Sequence, residues 1–148
     1  MTVYRICSAR FPSNDGEGAR LYGGRWNHRG TRIVYCAQSA SLCALEVLAN
    51  SGSLPRDMVL IEIEIPPSLS METVELRALP KGWDGAVPID DTRVIGTEWQ
   101  LRGESAVFSV PSAIVPHEHN YLLNPDHRDF SLIEFTAPVP FAFDPRLK

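Results

Sequence analysis

The chain has no excess of positive charge: 14 lysines and arginines are outnumbered by 18 aspartates and glutamates, for a formal net charge of -4. A protein that wraps nucleic acid neutralises phosphates with clustered basic side chains, so this balance argues against direct nucleic-acid binding. Long hydrophobic runs are missing too. No segment approaches the ~20 apolar residues a membrane span needs, and Met1-Thr-Val-Tyr-Arg5 lacks the basic-then-apolar pattern of an export leader. Cysteine is sparse: Cys7, Cys36 and Cys43 are odd in number and have no C-x-x-C spacing, which excludes a secreted disulfide framework. These absences lead us to expect a soluble, cytoplasmic protein with no membrane association. Also absent are the G-x-x-x-x-G-K-[ST] and G-x-G-x-x-G phosphate loops, the G-x-S-x-G elbow, internal repeats and low-complexity tracts.

What is present is an ordinary apolar share, 44% of 148 residues, enough for one core and one domain spanning 1–148. Prolines cluster from Pro55 onward and mark many short elements. Ser13–Gly18 reads as an exposed loop. Thr31–Ala37 reads as a strand with Ile33, Tyr35 and Ala37 on one face, and Ser39–Asn50 as a helix that buries Leu42, Leu45 and Ala49 behind a serine N-cap. Met58–Ile65 is a strand whose Val59, Ile61, Ile63 and Ile65 alternate with Leu60, Glu62 and Glu64, ended by Pro66-Pro67. The stretch from Lys81 to Asp91 surrounds Trp83 with Gly, Pro and Asp, and a helix or turn is expected near Thr97–Leu101. Ala106–Val110 and Ser112–Val115 suggest a strand broken at Pro111, and Leu132–Thr136 with Val139–Phe143 a final strand pair. The sum is an α+β domain with a mixed, strand-rich sheet and few helices.

Polar chemistry concentrates in Leu21-Tyr-Gly-Gly-Arg-Trp-Asn-His-Arg-Gly30, where paired glycines allow close backbone approach and Arg25 offers a planar fork suited to a phosphate or carboxylate. The plainer alternative is a glycine-rich turn with Trp26 as a core plug and Arg25 as a solvated charge. Glu46 lies in the apolar run Ala44–Leu48, where a carboxylate finds a partner or faces solvent. His117 and His119 would share a strand face and invite a metal, but a third and fourth ligand are missing, so no metal site is assigned. His127 reads as a turn residue, and Glu62 with Glu64 as a solubilising pair.

The ordered series Gly-Gly-Arg-Trp-Asn-x-x-Gly, Tyr35, Ala-Leu-Glu46, Val-Pro-Ser112-Ala-Ile-Val-Pro and Asn120-Tyr-Leu-Leu-Asn124-Pro resembles the RES domain from about Tyr4 to Phe143. The resemblance places the family's Arg, Glu and Ser on Arg25, Glu46 and Ser112. It implies an ADP-ribosyltransferase-like fold and the toxin half of a bacterial toxin–antitoxin pair. It further implies that NAD is the substrate, with no other cofactor, that a DNA-binding, Xre-like antitoxin is the partner, and that the protein is a homodimer. The implied reaction is cleavage of the nicotinamide–ribose bond, as a glycohydrolase or phosphorylase. The alternatives are mono-ADP-ribosylation of a protein and a non-catalytic nucleotide- or protein-binding module.

Such a cleavage puts positive charge on the ribose carbon while the leaving group departs neutral. It calls for an anion clamp, an aromatic wall and a carboxylate, the types that Arg25, Tyr35 and Glu46 supply. Ser112 is expected to position rather than attack, because no Ser-His-Asp order supports a nucleophile. Arg5, Asn120 and Asn124 complete the expected ligand contacts. Arg5 could instead be a strand-end surface charge, and the asparagines turn formers.

Overall fold

The computed structural model describes residues 1–147. Alternation along Met58–Ile65 does what it predicts: Ile61, Ile63 and Ile65 are buried while Glu62 and Glu64 are exposed. The strands are β1 (Thr2–Ser8), β2 (Val34–Ala37), β3 (Met58–Glu64), β4 (Met71–Thr73), β5 (Val107–Pro111), β6 (His119–Leu123), β7 (Glu134–Phe135) and β8 (Val139–Phe141). They form one sheet in the order β4-β5-β6-β2-β1-β3-β7, with β8 also on β3. The β4–β5 pairing is parallel and the others antiparallel, so the sheet is mixed. With the helices α1 (Glu17–Tyr22), α2 (Ala40–Ala49) and α3 (Asp90–Arg102), this is the expected strand-rich α+β architecture.

Side chains separate by strand parity into two buried faces. Val3, Val34, Ile61, Ile63, Val107 and Leu123 share one. The opposite face holds two clusters, one around Trp26, Ile33, Trp99, Phe108 and Leu122 and the other around Ile6, Ala37, Leu42, Leu48 and Phe143.

Four expectations are corrected. In α2 the Ser39 Oγ cap accepts from Leu42 N as anticipated, but Leu45 and Ala49 are exposed, and Leu42, Cys43 and Leu48 are buried instead. The helix is rolled so that its Cys43, Glu46, Val47 and Asn50 stripe faces inward. α3 begins seven residues before the expected Thr97. Its sequence hides it, because Gly96 interrupts an apolar face. A Cβ on Gly96 would overlap the Trp26 carbonyl, so the glycine is what lets the helix lie against that backbone. Ser112–Val115 is a turn, not strand, since the Ser112 hydroxyl accepts from the Ile114 and Val115 amides and holds them out of any ladder. Finally, β7 and β8 do not pair with each other; both dock on β3, at Ile63–Glu64 and at Met58–Leu60 respectively.

Candidate active site

β1 and β2 are joined by a single residue pair, Tyr4 with Ala37. Where that pairing stops, Arg5 and Ile6 on one side and Tyr35 and Cys36 on the other line a cleft of about 990 Å³. The volume is at the upper end of small-molecule sites. The cleft separates the two clusters on the second face: Trp26 and Ile33 contribute from one, Ala37 and Cys43 from the other.

Glu46 reaches this cleft from α2. Its Oε1 accepts from Ser112 Oγ at 2.8 Å and from Asn120 Nδ2 at 2.6 Å, while Oε2 has no donor among the described residues. Ser112 is fully buried behind the carboxylate and does not line the cleft, whereas Asn120 does. The carboxylate is therefore fixed by one oxygen and presents the other.

Tyr35 is held at its far end. Its hydroxyl donates to Asn27 Oδ1 at 2.6 Å and accepts from Trp26 N at 3.1 Å, and burial pushes its acidity well above the ordinary phenol range. Asn27 in turn donates to Ala19 O at 2.8 Å and is wholly buried. Gly24 makes room, since a Cβ there would crowd the Tyr35 hydroxyl. The Gly24–Asn27 bridge is the glycine-rich turn of the plainer reading, and Trp26, 2% exposed, is its core plug.

Arg25, however, is not a solvated charge. Its Nη1 donates to Trp83 O at 2.6 Å and its Nη2 to Gly85 O at 2.8 Å, so the guanidinium clips the 83–85 segment over the cleft. Burial lowers its pKa, opposed by the nearby charges of Glu46 and Asp84. Arg5 lines the cleft with Nε buried and unpartnered, and only Nη2 is engaged, on Ser13 O at 3.4 Å. Arg93, from α3, was not anticipated; its Nε donates to Gly24 O at 3.2 Å.

The structure gathers Arg5, Arg25, Tyr35, Glu46 and Asn120 around the cleft, with Ser112 one bond behind. Asn124 is elsewhere. It donates to Gln100 O at 3.0 Å and accepts from Asp126 N, which makes it a buried turn former rather than a ligand contact. His127 also fixes a turn, through Asp129 N. His117 lies in a turn before β6 and only His119 is on the strand, so they share no strand face. Among the described residues no three His, Cys, Asp or Glu side chains are grouped to hold a metal, and no helix is long and apolar enough to cross a membrane. Asn27 and Arg93 are the site residues that sequence reasoning left out of its set. Asn27 signalled itself by lying in the same motif as Arg25, while Arg93 gave no local signal.

The family model of the RES domain matches residues 2–144. The chain belongs to the RES domain family. Among its RES relatives, it is 40% identical to the "Toxin Res" of Photorhabdus laumondii over 99% of this chain and 97% of that protein. It is 41% identical to the "Prs ADP-ribosylating toxin" of Sphingobium sp. over 89% of this chain and 84% of the relative. The "NAD(+) phosphorylase MbcT" of Mycobacterium tuberculosis is 30% identical over 72% of this chain and 61% of that protein. The crystal structure of the M. tuberculosis MbcT–MbcA toxin–antitoxin complex superposes with a TM-score of 0.75 at 22% identity, covering 99% of this chain and 85% of the other. The RES chain therefore has that fold from end to end.

Proposed function

We propose that this RES protein is a toxin that consumes NAD by breaking the bond between nicotinamide and ribose. The observation that carries the reading is Glu46, fixed through Oε1 by Ser112 and Asn120 and presenting Oε2 in a cleft that also holds Arg5, Arg25 and Arg93. In the reaction the C1′–N bond breaks and its electron pair leaves with neutral nicotinamide, so no acid is needed for departure. A preorganised carboxylate stabilises the cation left on the ribose, and guanidinium groups suit the pyrophosphate. NAD enters as substrate and no further cofactor is invoked.

The acceptor then bonds to C1′: water gives ADP-ribose, inorganic phosphate gives the sugar phosphate, and a protein side chain gives an ADP-ribosylated protein, each losing a proton as the new bond forms. The names of the mycobacterial and Sphingobium relatives favour the second and third outcomes respectively. We further propose a cytoplasmic homodimer neutralised by a DNA-binding, Xre-like antitoxin, a pairing in keeping with the toxin–antitoxin complex of the structural relative and with this chain's own acidic balance. Purified protein is to be incubated with NAD, with and without phosphate and cell lysate, and nicotinamide, ADP-ribose and modified protein separated. Release of nicotinamide is expected. Intact NAD from a folded, antitoxin-free protein would leave only the binding-module reading.

A further inference from the structure

We propose that Arg93 is a phosphate-binding residue of the cleft, taking the diphosphate of the substrate through its terminal guanidinium nitrogens. The inference rests on the NAD reading above and assigns a role to a residue outside the Arg, Glu and Ser that name the family.

The donors in the cleft can be counted one by one. Arg25 has given one hydrogen from each terminal nitrogen to the Trp83 and Gly85 carbonyls. Arg93 has given only Nε, to Gly24 O, and both of its terminal nitrogens lack a protein acceptor. That leaves a parallel pair of N–H donors, the geometry that reads two oxygens of a phosphate. Arg5 adds a buried Nε that also lacks an acceptor.

The charges point the same way. The cleft lining carries three arginines against two carboxylates, Glu46 and Asp84, in a chain whose net charge is -4. Among the described residues none of the three arginines lies within ion-pair distance of a carboxylate, whereas Arg20, Arg32, Arg102 and Arg146 all do. Arg93 is near enough to Arg25 to depress its pKa. Two like charges held in a partly buried cleft without a counter-ion repel each other, and a dianionic ligand removes that repulsion. A purely structural Arg93, tying α3 to the Gly24 turn, would need only its Nε.

The test compares wild type with Arg93→Gln and Arg93→Lys, each confirmed folded by circular dichroism. In titrations with inorganic pyrophosphate at low salt, Arg93→Gln should weaken binding on the order of 10- to 100-fold, the scale of losing charge-assisted hydrogen bonds, and Arg93→Lys by less. With NAD the Arg93→Gln variant should show a raised KM. With nicotinamide riboside, which has the same scissile bond and no phosphate, its kcat/KM should match wild type. Unchanged pyrophosphate affinity, or an equal loss on both nucleosidic substrates, overturns the proposal and returns Arg93 to a helix tie. If wild type cleaves neither substrate, the NAD reading fails on its own, and the pyrophosphate titration still decides Arg93.

Discussion

The Ser112 hydroxyl donates to Glu46 Oε1 at 2.8 Å while accepting from the amides of Ile114 and Val115 at 3.1 Å each. A single oxygen thus shapes the turn after β5 and aims a carboxylate 66 residues away in sequence. Ser112→Ala removes both functions. The lost turn cap should cost about 1–2 kcal/mol, visible as a lower melting temperature, and turnover should fall about 10-fold because Asn120 alone still holds Glu46. Wild-type single-turnover rates in this variant would detach Ser112 from the chemistry.

Glu46→Gln keeps a carbonyl that can accept from Ser112 and Asn120 but removes the negative charge. NAD affinity should survive while turnover drops by roughly 100-fold or more, the scale of losing one preorganised electrostatic group. Affinity and single-turnover rate measured together check this, and an unaltered rate would remove Glu46 from catalysis.

Arg25→Lys retains a cation that cannot span the Trp83 and Gly85 carbonyls together. Two effects are expected: NAD binding weaker by about 10-fold, as for a lost charge-assisted hydrogen bond, and faster amide exchange in the 83–88 segment. Hydrogen exchange by mass spectrometry reads the second directly. Unchanged exchange would show that the clip does not hold the segment.

Gly96→Ala places a methyl where the Trp26 carbonyl lies. The helix or the turn must shift, at a cost of roughly 1–3 kcal/mol for overpacking. Thermal melting should show the loss, and because Trp26 adjoins Arg25, NAD affinity should fall with it.

Burial pushes the Cys43 thiol up from the ordinary value of 9.0 to about 11. Because the folded state raises this pKa, its stabilising contribution is complete below pH 9 and is lost as pH climbs toward 11. Denaturant titrations across that window should show falling stability, less marked in Cys43→Ser. At neutral pH the thiol is protonated, so iodoacetamide should label it slowly.

Legibility followed the physics of each segment. β3 could be read because one face is buried and the other wet, which leaves a period of two in the sequence. α2 was read as a helix but with the wrong buried face: its inward stripe includes Glu46 and Asn50, polar residues that a search for apolar periodicity discards. α3 was recognised only at its C-terminal half, since Gly96 stands where packing demands closeness rather than bulk. Most of the cleft came from the family resemblance; the residues alone left Arg25 and Glu46 open to plainer readings. Arg93 reaches Gly24 from 69 residues away, a contact that no local pattern encodes.

The first strand to be synthesised, β1, is an interior strand of the sheet, flanked by β2 and by β3, whose register with it runs from Thr2–Glu64 to Ser8–Met58. Beyond β2 lies β6, which emerges from the ribosome only after a further 80 or so residues have been made and carries the Asn120 that steadies Glu46. The working cleft is consequently among the last things the nascent chain completes. A translation product cut short before Asn120 would contain Arg5, Arg25 and Glu46 and still be harmless to the cell that made it.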